Sequence, residues 1–318
     1  MTREKMNPTI EKILANIEKV MIGKRDVAEL SLVALLAEGH VLLEDVPGVG
    51  KTMMVRALAK SVNANFRRIQ FTPDLLPSDV TGVSIYNPKK MEFEFRPGPL
   101  MGNIILADEI NRTSPKTQSA LLEGMEEASV TIDGVTHKLH KPFFVMATQN
   151  PIEYEGTYPL PEAQLDRFLL KMKMGYPDLQ EEVEVLNRAQ KIPPIEDLHP
   201  VIDLDELRVL QQEMKDVYVD DTIKRYIVEI VNRTRGHGSV YLGASPRGSI
   251  ALMKAAQAYA YMYDRDYIVP DDIQYLAPFV LSHRIILKSE AKFEGTSAEK
   301  VINQIVARVP VPVQRLVK

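Results

Sequence analysis

The sequence predicts an α/β protein built on a P-loop parallel sheet flanked by helices, with two β-hairpin insertions and a C-terminal all-helical domain. Three observations lead there. Short apolar runs at Val41-Leu-Leu43, Ile104-Ile-Leu-Ala107 and Phe143-Phe-Val-Met-Ala147 alternate with segments of helical periodicity, and strands covered on both faces read as uninterrupted apolar runs. The first run leads through Gly48-Val-Gly50 into a helix start, the strand–turn–helix order that a phosphate-binding loop requires. Strand-like runs then cease at Tyr176-Pro177, beyond which only helical patterns remain. A boundary near Pro177 follows, with an α/β domain over residues 1–176 and a helical domain over 177–318.

In order, Ile10, Ile13, Leu14, Ile17 and Met21 recur at helical spacing, so the chain opens on an amphipathic helix. A turn at Ile22-Gly23 precedes a second helix from Asp26 to Ala37, with Val27, Leu30, Val33, Ala34 and Ala37 on its apolar face. After the strand at Val41, a helix runs from Lys51 to about Val62. Phe66 to Phe71 alternates as a strand, and Pro73 and Pro77 bracket a short helical turn. Val83-Ser-Ile-Tyr86 and Glu92-Phe-Glu-Phe95 flank Asn87-Pro-Lys-Lys90 as a hairpin. A buried strand from Asn103 to Ala107 ends in Asp108-Glu109, and a helix from Thr113 to Glu127 turns Leu121, Leu122 and Met125 inward. A second hairpin over 130–137 turns on Asp133-Gly134, a strong two-residue signal. The strand from Phe143 stops at Thr148-Gln-Asn150, a helix spans Pro161 to Phe168, and Leu169 to Met174 forms the last strand. Helices follow over 179–190, 203–217, 221–234, 245–263, 270–282 and 297–309.

Composition narrows the function. The net charge is −4, which gives no global electrostatic basis for binding nucleic acid or an anionic membrane. The chain has no cysteine, which excludes disulfides, thiolate metal sites and a cysteine nucleophile, and suits a reducing cytosol. No apolar run approaches membrane-spanning length, and the first twelve residues mix charges instead of forming a signal-peptide core. The expectation is a soluble, cytoplasmic protein.

The chemistry concentrates at the ends of the predicted strands, where open α/β sheets bind ligands. Gly48 and Gly50 allow a tight turn whose N–H groups, with the positive end of the next helix, cradle phosphate. Lys51 would reach the β- and γ-phosphates and the Thr52 hydroxyl would hold Mg²⁺. The nucleotide-binding set is Pro47, Gly48, Val49, Gly50, Lys51, Thr52 and Met53 with Asp108; the pattern departs from its usual form at Asp45, where glycine is expected. Asp108 is the second expected Mg²⁺ ligand, and Glu109 is placed to polarise a water against the γ-phosphate. Asn150 both donates and accepts hydrogen bonds, which suits orienting that water. Arg167 could pair with Asp166 or Glu162, or serve an anion. Arg247 sits at a helix start capped by Ser245 and Pro246, where a cation is unfavourable unless an anion lies beside it. His137 and His140 flank a hairpin strand without further ligands nearby in sequence.

Five ordered motifs carry a resemblance: Glu44-Asp-Val-Pro-Gly-Val-Gly-Lys-Thr52, Ala107-Asp-Glu-Ile-Asn-Arg112, Ala147-Thr-Gln-Asn-Pro151, Leu160-Pro-Glu-Ala-Gln-Leu-Asp-Arg-Phe168 and Gly243-Ala-Ser-Pro-Arg247. Over nearly its whole length the chain resembles the MoxR branch of the AAA+ ATPases. The resemblance implies an AAA+ core with a helical lid, ATP and Mg²⁺ as cofactors, and a homo-oligomeric ring, typically a hexamer. It casts Asn150 as the first sensor, Arg167 as the arginine finger reaching the next subunit and Arg247 as the lid sensor. It places Ile22 and Gly23 beside the adenine, and both hairpins toward the pore. It further implies a protein client remodelled in chaperone-like fashion, often with a partner carrying a von Willebrand A domain. Other readings stay open. A chelatase-like metal-insertion subunit would carry much the same sheet motifs. In a nucleic-acid motor using the hairpins, Lys89, Lys90 and Arg96 would be opposed by Glu92 and Glu94. Intact Glu109, Asn150 and Arg167 argue against a scaffold that binds ATP without turnover.

Overall fold

The computed structural model describes residues 5–45, 48–151, 157–189 and 195–312. Five parallel strands form the central sheet: β1 (Val41–Glu44), β2 (Phe66–Gln70), β5 (Ile104–Asp108), β8 (Phe144–Gln149) and β9 (Leu170–Met172), in the order β2-β5-β8-β1-β9. The hairpins are β3 (Gly82–Asn87) with β4 (Glu92–Pro97) and β6 (Ser129–Ile132) with β7 (Val135–Lys138). Asp133 and Gly134 both have positive φ, as the two-residue turn demands. Phe95 of the first hairpin stacks on His137 of the second, ring centroids 3.9 Å apart.

The helices of the sheet region are α1 (Pro8–Glu18), α2 (Arg25–Leu36), α3 (Lys51–Ser61), α4 (Pro77–Thr81), α5 (Pro115–Glu127) and α6 (Glu162–Leu165). Beyond Pro177 come α7 (Leu179–Ala189), α8 (Leu204–Glu213), α9 (Asp221–Gly236), α10 (Pro246–Met262), α11 (Pro270–Leu281), α12 (Ser289–Phe293) and α13 (Ala298–Arg308). Between them lies an antiparallel ribbon of β10 (Val240–Leu242) and β11 (Ile286–Leu287), so among the described residues the helices of this region are accompanied by a short ribbon. Strands of two and three residues are too short to show alternation, which is why the sequence reads there as helix and loop. The predicted helix over 161–168 contracts to α6, and the one over 203–217 breaks into a 3-10 turn at Met214.

Alternation along the strands divides the core. Ile104, Leu106, Phe144, Met146, Val41 and Leu43 face one side of the sheet, with α1, α2 and α3. Ile105, Ala107, Val145, Ala147 and Leu42 face the other, with α5 and Phe168. The first apolar cluster runs on without a break into Leu207, Tyr226 and Leu252 of the C-terminal helices. Polar contacts follow the same route: Gln211 donates to the Leu35 carbonyl at 2.7 Å and the Asn7 N–H to that of Met262 at 2.8 Å. Register aligns the strand ends, with Glu44 opposite Gln149 and Gln70 opposite Asp108. That shared carboxyl edge is where the predicted chemistry gathers.

Candidate functional site

The glycine turn begins where β1 ends. Gly48 and Gly50 have φ of +89° and +91°, the left-handed region where a side chain is strained. Gly50 is the N-cap of α3, so the first-turn amides of that helix are left without intrahelical partners and face an incoming anion. Pro47 lies outside the described residues. Lys51 is half-buried and donates to the Asp45 carbonyl at 2.9 Å. Burial pulls its pKa below the usual lysine value, against the pull of Asp108, Asp45 and Glu109.

Asp45 has a task of its own. Its buried carboxylate accepts from the Met174 and Gly175 N–H groups, the latter at 3.2 Å. The residue standing where the motif expects glycine therefore ties the P-loop to the segment leaving β9.

A cavity of about 400 Å³ is lined by Lys51, Thr52, Asp108, Glu109 and Asn150, with Gly48, Gly50 and Met53. The last three also line an adjoining, more apolar cavity of about 540 Å³, walled by Met21, Ile22, Val49, Tyr176 and Val185. Gly23 itself has φ +63°, and the Glu181 carboxylate presses against it so closely that a Cβ would lie 1.6 Å from Oε1. The sequence motifs thus meet: polar groups line one cavity, apolar walls the other beside Ile22.

The two acids are held by a residue the sequence reading missed. Thr148, fully buried, donates from Oγ1 to Asp108 Oδ1 at 2.7 Å and accepts the Glu109 N–H at 2.9 Å. Glu109 needs that support, for it sits at φ +56°. Arg68 pairs with Asp108 Oδ2 at 2.7 Å, while Glu109 Oε2 accepts from Arg112 at 2.9 Å and Gln70 at 3.3 Å. A polar residue closing an apolar run was the available signal for Thr148; arginine and glutamine on an edge strand gave none for Arg68 and Gln70. Across the site, the Asn150 carbonyl accepts from Asn111 at 3.2 Å.

Arg167 and Arg247 line neither cavity. Both lie against Glu126, at 3.1 Å and 3.3 Å. Of the acids proposed for Arg167 from sequence, Asp166 is used differently: it pairs at 2.8 Å with Arg284, which also donates to the carbonyls of Phe168 and Leu169. Burial lowers the Arg284 pKa to about 10. The anion beside Arg247 at its helix start is the chain's own Glu126.

For Mg²⁺, the donor set fits. One hydroxyl (Thr52) and one carboxylate (Asp108) leave coordination positions for phosphate oxygens and water, as this ion prefers. Among the described residues no group of three His, Asp or Glu could hold a metal by itself. No helix among them is long and apolar enough to cross a membrane.

Residues 40–170 match the model of the ATPase family associated with various cellular activities (AAA), and residues 232–305 match that of the AAA lid domain. The chain is 69% identical over 313 residues to the uncharacterized protein YeaC of Bacillus subtilis, covering 98% of each chain. It is 43% identical to chaperone MoxR1 of Mycobacterium tuberculosis, over 96% of this chain and 82% of that one. The crystal structure of an ATPase candidate from Cytophaga hutchinsonii superposes with a TM-score of 0.90 at 41% identity, covering 96% of this chain and 95% of its own.

Proposed function

We propose, from the premise that this chain belongs to the MoxR family of AAA+ ATPases, that it hydrolyses ATP in a ring of its own copies and couples turnover to remodelling a protein partner. The observation that carries the reading is the gathering of Lys51, Thr52, Asp108, Glu109 and Asn150 about one cavity at the carboxyl edge of the sheet. Adenine would lie in the apolar cavity beside Ile22, and the triphosphate would run over Gly48 and Gly50 toward Lys51. Thr52 and Asp108 would hold Mg²⁺, which neutralises charge on the phosphates. Glu109 would take the proton of the attacking water, which forms the new bond to the γ-phosphorus as ADP departs. Asn150 would orient that water.

Arg167 and Arg247 stand apart from their own chain's cavities, so both are assigned to the pocket of a neighbouring copy. That assignment makes the ring, a hexamer in the family's pattern, a requirement for turnover. Residues 1–176 act as the nucleotide-binding unit and 177–318 as the lid. The chaperone-like role draws support from the relative named chaperone MoxR1. A partner with a von Willebrand A domain and a cytoplasmic location belong to the same reading. Glu109→Gln keeps the shape and removes the base, so ATP should still bind while turnover falls roughly 10²- to 10⁴-fold. Equal losses of affinity and rate would give Glu109 a structural part. An ATPase stimulated by DNA would favour a nucleic-acid motor, and capture of a metal-insertion complex by the Glu109→Gln ring would favour the chelatase-like reading.

A further inference from the structure

Three elements distant in sequence meet at Glu126. It lies in the last turn of α5, Arg167 follows α6, and Arg247 opens α10. The two carboxylate oxygens divide the work: Oε2 takes Arg167 Nη2 at 3.1 Å and Oε1 takes Arg247 Nη2 at 3.3 Å. Each guanidinium carries five N–H donors on a planar fork, and the contact to Glu126 runs through the terminal Nη2 of each. A single carboxylate cannot take up all ten of these donors, which leaves the two forks with capacity for a second anion.

All three members are anchored from behind. The neighbouring Met125 carbonyl is held by the buried ring of His40 at 3.3 Å. Arg167 is flanked by Asp166, fixed by Arg284, and by the fully buried Phe168. Arg247 rides on a helix that starts at Pro246. Two guanidinium groups side by side repel unless an anion lies between them, and a charge-assisted contact to each gives direction as well as attraction.

We infer that Glu126 is a positioning residue for hydrolysis in the neighbouring copy: its carboxylate holds Arg167 and Arg247 side by side so that both forks meet the γ-phosphate bound there. The inference rests on the assignment of the two arginines to a neighbour's pocket. Glu126 touches no substrate and acts through the arginines. The energy of the two contacts is not the argument, since ion pairs this exposed contribute little to stability. Placement matters more, because a displacement of about 1 Å in a group that stabilises the transition state can cost on the order of 100-fold in rate.

The experiment separates donor from acceptor subunits. Lys51→Ala subunits supply both arginines but bind no ATP, and Arg167→Ala subunits keep a working pocket but lack the Arg167 fork; mixed rings measure what the donor contributes. Adding Glu126→Ala to the Lys51→Ala donor should lower the mixed-ring kcat by about 10- to 100-fold with KM for ATP unchanged. Adding it to the Arg167→Ala acceptor should change nothing. Glu126→Gln on the donor, which keeps an acceptor oxygen, should recover part of the loss. Thermal unfolding midpoints should match, since Glu126 is partly exposed at a helix end. A donor carrying Glu126→Ala that works as well as its parent, or better, overturns the inference while leaving the arginine assignment standing. A loss equal on donor and acceptor overturns it too, since a structural defect does not depend on which subunit gives the arginines. If the mixture of Lys51→Ala with Arg167→Ala is itself inactive in intact rings, the underlying assignment fails instead.

Discussion

The Lys51 cavity and the Glu126 junction are both clusters of charge, but they are built in opposite ways. At the cavity, the basic and acidic groups come from strand ends on one sheet edge, and each is fixed close to that edge: Lys51 on the Asp45 carbonyl, Asp108 and Glu109 on Thr148 of the strand between. At the junction, two cations come from opposite sides of the predicted domain boundary and share one acid. The first is a pocket with room for a ligand. The second is a pair of donors at the surface, Arg167 about one-quarter exposed and Arg247 two-thirds. One resembles the receiving half of a catalytic site and the other the giving half, which is the division a ring requires.

The largest test of that division is Arg167→Ala. An arginine that neutralises charge on the transferring phosphoryl group is worth about 10³ to 10⁵ in rate. The variant should bind ATP as the parent does and lose turnover by a factor in that range. Activity per subunit of the parent should rise with protein concentration as copies associate. Turnover independent of concentration, together with full activity of the variant, would merge the two regions into one self-sufficient site.

A smaller effect is expected at Thr148→Val, which sharpens the comparison from the cavity side. The change keeps the shape and removes the hydroxyl, leaving the Glu109 N–H and Asp108 Oδ1 without this partner. Stability should fall by about 1–3 kcal/mol, the cost of unpaired buried polar groups. Rate should fall by about 10- to 100-fold as both acids lose their placement. Chemical denaturation and steady-state kinetics read the two separately, and the donor function of the variant, offered to Arg167→Ala rings, should survive. A donor defect equal to the pocket defect would mean that the regions are not independent.

The two regions also differ in how far the sequence discloses them. Val41-Leu-Leu43 with its glycine turn, and Ile104 to Ala107 with its two acids, are contiguous patterns in which local chemistry and local structure coincide. Sheet, hairpins and helices follow from the same periodicities. Asp45 reads as a blemish in a motif because its partners, Met174 and Gly175, lie 129 and 130 residues away. Thr148 reads as an ordinary strand residue, since threonine suits strands; only the fold puts its hydroxyl between two acids. Glu126 is one of two adjacent glutamates at a helix end, and nothing local distinguishes it from Glu127 or from any solvated face. Arg167 and Arg247 could be singled out, but not their shared acid, because convergence across 121 residues is a property of packing. The short ribbon of β10 and β11 escaped for want of length.

The smallest effect concerns pH, and it should be felt at the junction before the cavity. His40 is buried beneath the sheet, where Nδ1 accepts the Val145 N–H at 3.0 Å and Nε2 lies 3.3 Å from the Met125 carbonyl. Protonation would place a second hydrogen on Nδ1, against the Val145 N–H. Burial lowers the pKa from 6.5 to about 4. The unfolded chain therefore takes up this proton at a higher pH than the folded one. The stabilisation from neutral His40 is complete above about 6.5 and is lost as pH falls toward 4. At about 1.4 kcal/mol per pH unit, the full difference amounts to about 3 kcal/mol. Buried His283, whose pKa is also lowered by burial, adds in the same direction. The ring resonance of His40 should show no titration between pH 7 and 5. Unfolding free energy should decline over the same window. Because Met125 adjoins Glu126, mixed rings of Lys51→Ala and Arg167→Ala should keep kcat while His40 stays neutral and lose it as pH falls toward about 4, before they lose ATP affinity. An inflection for His40 near 6.5, or affinity failing ahead of kcat, would detach the histidine from the junction it is placed to support.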